Sequence, residues 1–168
     1  MLFLILSAFM LFSLHAESPC PDTERQYILG DYKKCAVSKE NGASTQCSYI
    51  KALCSIGNNN LDEAKYPLSI LSVEESSTHN FTETNGLALA SLVEIAYLAG
   101  DYKKAQNLSG ELNSLLSKKL PDSYPYMVSE VLLAKSYYNN SDSRSAKKRL
   151  VMLELTSMDP ILYYSINP

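Results

Sequence analysis

The chain has 168 residues, with 15 Lys and Arg against 18 Asp and Glu, which gives a formal net charge of −3. This balance argues against a nucleic-acid surface, because the basic pairs (Lys33-Lys34, Lys103-Lys104 and Lys147-Lys148) are scattered along the sequence. We interpret each pair as part of a solvated helix face. The length is sufficient for one domain with a hydrophobic core.

Residues 1–16 form an apolar run without a charged side chain, and the run is followed by Glu17, Ser18 and Pro19. This pattern is typical of a secretory signal peptide cleaved after Ala16. The run is short for a membrane span, which needs about 20 apolar residues. An uncleaved N-terminal membrane anchor is the alternative, and lipidation at Cys20 is disfavoured because small residues do not precede it. The sequence thus predicts a periplasmic or extracellular protein.

Four cysteines follow the apolar run, at Cys20, Cys35, Cys47 and Cys54. An even number in an exported chain favours disulfides, and the spacings match no zinc pattern. Cys47 and Cys54 lie about 10.5 Å apart along one predicted helix, too far to pair with each other. The bonds should cross to the preceding helices, and the helical rise favours Cys20–Cys47 with Cys35–Cys54. The alternatives are Cys20–Cys54 with Cys35–Cys47, or four unpaired buried cysteines.

The spacing of apolar residues predicts helices in pairs and no strands. The predicted helices cover residues 22–29 and 31–40, 44–56 and 61–73, 86–99 and 105–120, and 125–139 and 142–156. Pro67 lies inside one of them and should kink this helix or delay its start. The polar segment of residues 74–84 is predicted to be a loop.

Four short sequence phrases resemble one another, and one of them lies between the two helices of each pair. They end at Cys35, Ala64, Ala105 and Ala146, at intervals of 29, 41 and 41 residues. In the clearest phrase, Gly100 can end one helix in the left-handed conformation, and the Asp after it adds negative charge to the first turn of the next helix. The pattern indicates a repeat of helix, tight turn and helix. Such pairs stack because one pair cannot bury its apolar face alone.

The third repeat resembles the tetratricopeptide repeat (TPR) family, through the residues Leu92, Ala96, Gly100-Asp-Tyr102, Ala105 and Leu112. The resemblance implies an all-α fold of antiparallel helix-turn-helix repeats, stacked as a short right-handed TPR-like solenoid of about four hairpins. It would occupy residues 17–157, with a C-terminal tail at 158–168. The sequence departs from the family in its period, which is usually about 34 residues, and in having no Trp. A generic helical bundle is the alternative.

In the TPR family the first helices of the repeats line a concave groove that binds peptides or helices of other proteins. The resemblance places nine residues there: Tyr49, Leu53, Ile56, Glu94, Tyr97, Leu98, Lys135, Tyr138 and Asn139. Tyr97 and Tyr138 occupy equivalent positions, and so do Glu94 and Lys135. The alternative for the tyrosines is packing between repeats. The two charges could form an ion pair, which contributes little if exposed, or face a partner.

The sequence holds no catalytic constellation, because His79 is the only histidine after residue 16 and lies in the predicted loop. We therefore expect no enzymatic activity, no cofactor and no metal. The expected function is an exported scaffold or adaptor that binds partner proteins in a bacterial envelope assembly, which could be associated with a membrane. Secretion, motility and outer-membrane machinery are examples. The alternative is a small secreted effector or inhibitor of a single target protein. The apolar segment 161–164 is expected to cover the end of the stack or to bind a partner.

Overall fold

The computed structural model of the protein describes residues 18–40, 44–73, 81–121 and 123–156, and the regular elements in these ranges are helices. They are α1 (Pro21–Ile28), α2 (Tyr32–Ala36), α3 (Thr45–Gly57), α4 (Leu61–Val73), α5 (Glu83–Leu98), α6 (Tyr102–Lys119), α7 (Tyr124–Asn139) and α8 (Ser143–Thr156). The prediction of an all-α fold is confirmed. The predicted signal peptide, His79 and the C-terminal tail lie outside the described residues.

The chain divides into two compact units, which we call unit 1 (Met1–Pro67 with Asp159–Pro168) and unit 2 (Leu68–Met158). Unit 1 contains α1, α2, α3 and the first half of α4. Unit 2 contains the second half of α4 and α5 to α8. None of the helices described in either unit is both long and apolar enough to cross a membrane.

The same type of turn joins the two helices of every pair. One residue in each turn has a positive φ, namely Gly30 (74°), Asn59 (59°), Gly100 (78°) and Ser141 (66°). The amide of Gly100 donates to the carbonyl of Tyr97 (3.0 Å), and the amide of Asp101 donates to that of Ala96 (3.1 Å). Hydrogen bonds with the same spacing occur in the other three turns. This is the Schellman arrangement, so the four similar phrases of the sequence form one repeated structure.

Three of the four turns lead directly into the next helix through a capping Asp residue. The side chains of Asp31, Asp101 and Asp142 accept hydrogen bonds from backbone amides three residues later, at 3.4, 3.1 and 3.0 Å. These bonds satisfy amide groups that the first helical turn would leave free. The fourth residue of the second helix is buried in all four pairs. These residues are Cys35, Ala64, Ala105 and Ala146, and each is at most 3% exposed. Their small side chains fit a position where helices approach closely.

Two disulfides join the residue before α1 and the helix α2 to α3. They pair Cys20 with Cys47 and Cys35 with Cys54, each with a Cα–Cα distance of 5.8 Å. The pairing favoured by the helical rise is therefore confirmed. Because each of the four cysteines is at most 1% exposed, the disulfides form part of the core of unit 1.

The helix α2 ends at Ala36, so the prediction of a helix over residues 31–40 is wrong at its C-terminal end. The segment after Ala36 turns back to the start of α1. There the Glu40 carboxylate accepts hydrogen bonds from the amide (2.8 Å) and hydroxyl (2.7 Å) of Thr23. The hydroxyl bond from Thr23 is the main cause that holds the pKa of Glu40 below its usual value. Glu40 thus caps α1 rather than extending α2.

The helix α4 begins at Leu61 and includes Pro67, so the expectation that Pro67 delays the helix start is wrong. A proline in this position removes one helical hydrogen bond. The helix persists because Ala64, Leu68 and Leu71 are buried along one side of it.

Candidate functional site

The candidate site lies where α5 and α7 of unit 2 end next to each other. The side-chain amide of Asn139, the last residue of α7, donates to the hydroxyl of Tyr97 in the last turn of α5. The same amide donates to the carbonyl of Lys135 at 2.8 Å. The Lys135 ammonium lies 4.0 Å from the centre of the Tyr97 ring, which is a cation–π contact. Lys135 and Asn139 thus fix the orientation of Tyr97.

Tyr102 extends this contact onto the first turn of α6. Its ring centre lies 5.2 Å from that of Tyr97, with the planes inclined by 59°. The carbonyl of Tyr102 accepts a hydrogen bond from the side-chain amide of Asn140 at 3.3 Å. The turn between α5 and α6 therefore lies directly beside the turn between α7 and α8. Tyr102 is not among the residues predicted for the groove, although it belongs to the Gly-Asp-Tyr phrase of the sequence.

Glu94 lies one helical turn before Tyr97 and is only 4% exposed. Burial raises the pKa of its carboxyl group to about 7, and the nearby charge of Lys135 opposes this shift. Burial also lowers the pKa of the Lys135 ammonium, which the charge of Glu94 opposes. The two groups do not close to an ion pair within 4.0 Å, since Lys135 lies against the Tyr97 ring instead. The charge of Glu94 lies below the surface and is not presented to solvent.

Five of the six residues predicted in unit 2 reach the surface there. Tyr138 is 68% exposed and Leu98 is 49% exposed, Asn139 is also exposed, and Tyr97 and Lys135 are partly exposed. We define the tyrosine surface as these five residues together with Tyr102. It combines flat aromatic area, an aliphatic side chain, a cation and an amide. Tyrosine side chains of this kind favour contacts with polypeptide, because they combine a large apolar ring with a polar hydroxyl group.

The three predicted site residues of unit 1 lie elsewhere in the molecule. Tyr49, Leu53 and Ile56 of α3 are 4%, 1% and 3% exposed. Their side chains face the core rather than an open groove, because α3 is buried on most of its sides and carries both disulfides. A buried side chain offers no surface to a partner, so the candidate site is restricted to unit 2.

A buried polar network lies deeper in unit 2 and was not anticipated from the sequence. The Glu130 carboxylate accepts hydrogen bonds from the guanidinium of Arg149 (2.8 and 3.0 Å) and from the side-chain amide of Asn113 (2.7 Å). The Asn113 amide also donates to the hydroxyl of Ser129 at 3.1 Å. The network ties α6, α7 and α8 together, and every member has a partner. Its role is therefore structural support.

The described residues contain no group of three or more His, Cys, Asp or Glu side chains placed to hold a metal ion. Comparison of the chain with protein-family models, with curated proteins and with solved structures finds no match. The functional interpretation therefore depends on the geometry of the tyrosine surface.

Proposed function

We propose that this protein is an exported, TPR-like adaptor or scaffold that binds other proteins in a bacterial envelope assembly through the tyrosine surface. The observation that carries the proposal is the arrangement at the ends of α5 and α7. Tyr97 is held by Lys135 and Asn139, and the residues next to Tyr97 and Asn139 in the sequence, Leu98 and Tyr138, are exposed. A contact surface that is already ordered loses little conformational entropy when a partner binds.

The repeated turn supports a solenoid-like arrangement. Four helix pairs share the Schellman turn and a buried small residue or cysteine in the first turn of the second helix, and three of the four share a capping Asp. Proteins that stack such pairs commonly bind partners on an extended surface that several repeats build together. We infer that the chain is a short repeat protein of this kind.

Export is supported by two independent features. The apolar segment of residues 1–16 has the pattern of a signal peptide. The two disulfides are typical of proteins in an oxidising environment, which the periplasm and the cell exterior provide.

A photo-crosslinking amino acid placed at position 138 tests the proposal in the native cell. The control places the same amino acid at Lys119, an exposed position at the other end of α6. We expect position 138, and not position 119, to yield adducts with several proteins of one envelope complex, which mass spectrometry identifies. A single foreign protein at position 138 would support the effector or inhibitor alternative. Equal adducts from both positions, or none from either, would contradict binding at the tyrosine surface.

A further inference from the structure

The two hairpin turns of unit 2 bring separate basic segments of the sequence to one end of this unit. The Asn140 side chain donates to the Tyr102 carbonyl at 3.3 Å, so the turns lie side by side. The helices α6 and α8 follow these turns directly and therefore both begin at this end. Their first two turns carry five cationic residues, all of them exposed, which we call the basic rim: Lys103, Lys104, Arg144, Lys147 and Lys148.

The basic rim is not neutralised within unit 2. None of its five cations forms an ion pair among the described residues. Within the part of the chain that the structure describes, the exposed carboxylates at this end are Asp101 and Asp142, and both accept backbone hydrogen bonds as helix caps. Lys135 adds a sixth cation, and Glu94 is buried. Six cations therefore face two exposed carboxylates, in a chain whose formal net charge is −3. Local positive charge on an acidic chain attracts and orients a negatively charged partner.

The basic rim borders the tyrosine surface, because Lys103 directly follows Tyr102 and the side chains of Tyr138 and Asn139 lie just before the second turn. A partner that covers both the basic rim and the tyrosine surface must combine negative charge with apolar or aromatic groups. A protein segment rich in Asp and Glu, with a Tyr, Phe or Leu between them, has this combination. A nucleic acid or an anionic membrane supplies charge over a wide area, which the acidic remainder of the chain would repel.

We propose that the basic rim and the tyrosine surface together dock an acidic protein segment that carries aromatic or aliphatic side chains. This inference rests on the proposed adaptor function and names the chemistry of the partner. The acidic residues lie against Lys103, Lys104 and the start of α8, and the apolar side chains lie against Tyr138 and Leu98. The pairing is electrostatic at the rim and apolar at the centre, as is common in protein interfaces.

The direct test measures binding of a random copolymer of glutamate and tyrosine to the full chain, by fluorescence anisotropy at low salt. A copolymer of lysine and tyrosine is the probe of opposite charge. We expect the acidic copolymer to bind and the basic one not to bind, with affinity falling by about 10-fold or more as salt rises, since charge attraction is screened. No binding of the acidic copolymer, or equal binding of both, overturns the proposal. Stronger binding to vesicles of anionic phospholipid would also overturn it.

A matched pair of variants locates the binding site. Lys103→Glu with Lys104→Glu reverses two rim charges at the start of α6, and Lys118→Glu with Lys119→Glu makes the same change at the end of this helix. Negative charge is favourable at a helix N-terminus and unfavourable at a C-terminus, so helix destabilisation would affect the control more. We expect the rim variant to weaken copolymer binding by about 10-fold or more and the control by less than about 2-fold. Equal effects would contradict docking at the rim.

The same variants separate this inference from the proposed function. If the crosslinking residue at position 138 captures its partners equally well in wild type and in Lys103→Glu with Lys104→Glu, the adaptor function stands and the acidic docking fails. If position 138 captures no partner while the copolymer still binds in a rim-dependent way, the basic rim is a real site and the proposed adaptor function fails.

Discussion

Glu94 is a carboxylic acid held in the interior of unit 2, and its burial gives the protein a specific pH dependence. Its pKa is raised from 4.5 to about 7 in the folded chain, chiefly by burial, with Lys135 as the facing charge that opposes the shift. The folded state therefore binds a proton between pH 4.5 and 7 that the unfolded chain releases. The contribution of Glu94 to the free energy of unfolding falls as pH rises through this window and is constant above it.

Replacing Glu94 with Gln removes the charge at every pH and keeps a similar shape. We expect Glu94→Gln to increase the free energy of unfolding by up to about 3 kcal/mol at pH 8, with little change at pH 4, because the wild-type group is already neutral there. Urea unfolding at the two pH values measures the difference. Glu111→Gln, at an exposed position of α6, is the control and should give no such pH-dependent gain. An equal gain for Glu94→Gln at both pH values would contradict a buried ionisable group.

The packing of helices α5, α6 and α7 depends on a close approach at Gly86. A Cβ atom added there would lie 2.8 Å from the Cβ of Pro125 and 3.1 Å from a methyl carbon of Leu116. Gly110, within α6, has no such neighbour within 4 Å. The two glycines therefore differ in their surroundings although both lie inside helices.

Alanine substitutions at these two positions should change stability in opposite directions. Ala is favoured over Gly in a helix by about 1 kcal/mol, so Gly110→Ala should stabilise the protein by up to that amount. In Gly86→Ala the added methyl group must displace Pro125 or Leu116, and overpacking of this kind costs about 1–3 kcal/mol. We expect a net loss for Gly86→Ala, measured by urea unfolding at pH 7. A gain similar to that of Gly110→Ala would show that the three helices are not in close contact at Gly86.

The sequence predicted the helices well because their boundaries are set by local chemistry. Apolar spacing and the Gly-Asp turns placed the elements, and the predicted starts at residues 44 and 125 lie within one residue of the starts of α3 and α7. The predicted end of α2 was wrong because the course of the chain after Ala36 depends on a contact between Glu40 and Thr23, which are 17 residues apart. Such a contact leaves no periodic signal in the sequence.

The candidate site was predictable only in part for a similar reason. The equivalence of Tyr97 and Tyr138 followed from the repeat, but the contact of Asn139 with Tyr97 requires α5 and α7 to end side by side. The same family pattern placed Tyr49, Leu53 and Ile56 in a groove, whereas they are buried. The repeat pattern identifies equivalent positions in the helix pairs. It does not show how many sides of each helix are covered by other helices. The basic pairs of the rim look scattered in the sequence because they lie about 40 residues apart, and only the adjacent turns of unit 2 bring them together.

At the scale of the whole molecule, the covalent crosslinks are unevenly distributed. Both disulfides lie in unit 1, where they close loops of 27 and 19 residues between the N-terminal segment and α3. A disulfide that closes a loop of this size stabilises a protein by about 3 kcal/mol, mainly by restricting the unfolded chain. The helices α1 and α2 are short, with 8 and 5 residues, and helices of this length are not stable without such support. The helices α5 to α8 of unit 2 have 14 to 18 residues and carry no crosslink.

Reduction of the disulfides should therefore affect the two units differently. We expect the backbone amides of α1, α2 and α3 to lose at least about 10-fold of their hydrogen-exchange protection in dithiothreitol, because each lost crosslink removes about twice the 1.4 kcal/mol that corresponds to that factor. The amides of α5 to α8 should exchange at unchanged rates. Peptide-resolved hydrogen exchange with mass spectrometry measures both, and a variant with all four cysteines replaced by alanine serves as the control, since dithiothreitol should not alter it. If α5 to α8 lose protection as much as α1 to α3 do, the two units unfold as one, and the division of the chain at Pro67 has no counterpart in its stability.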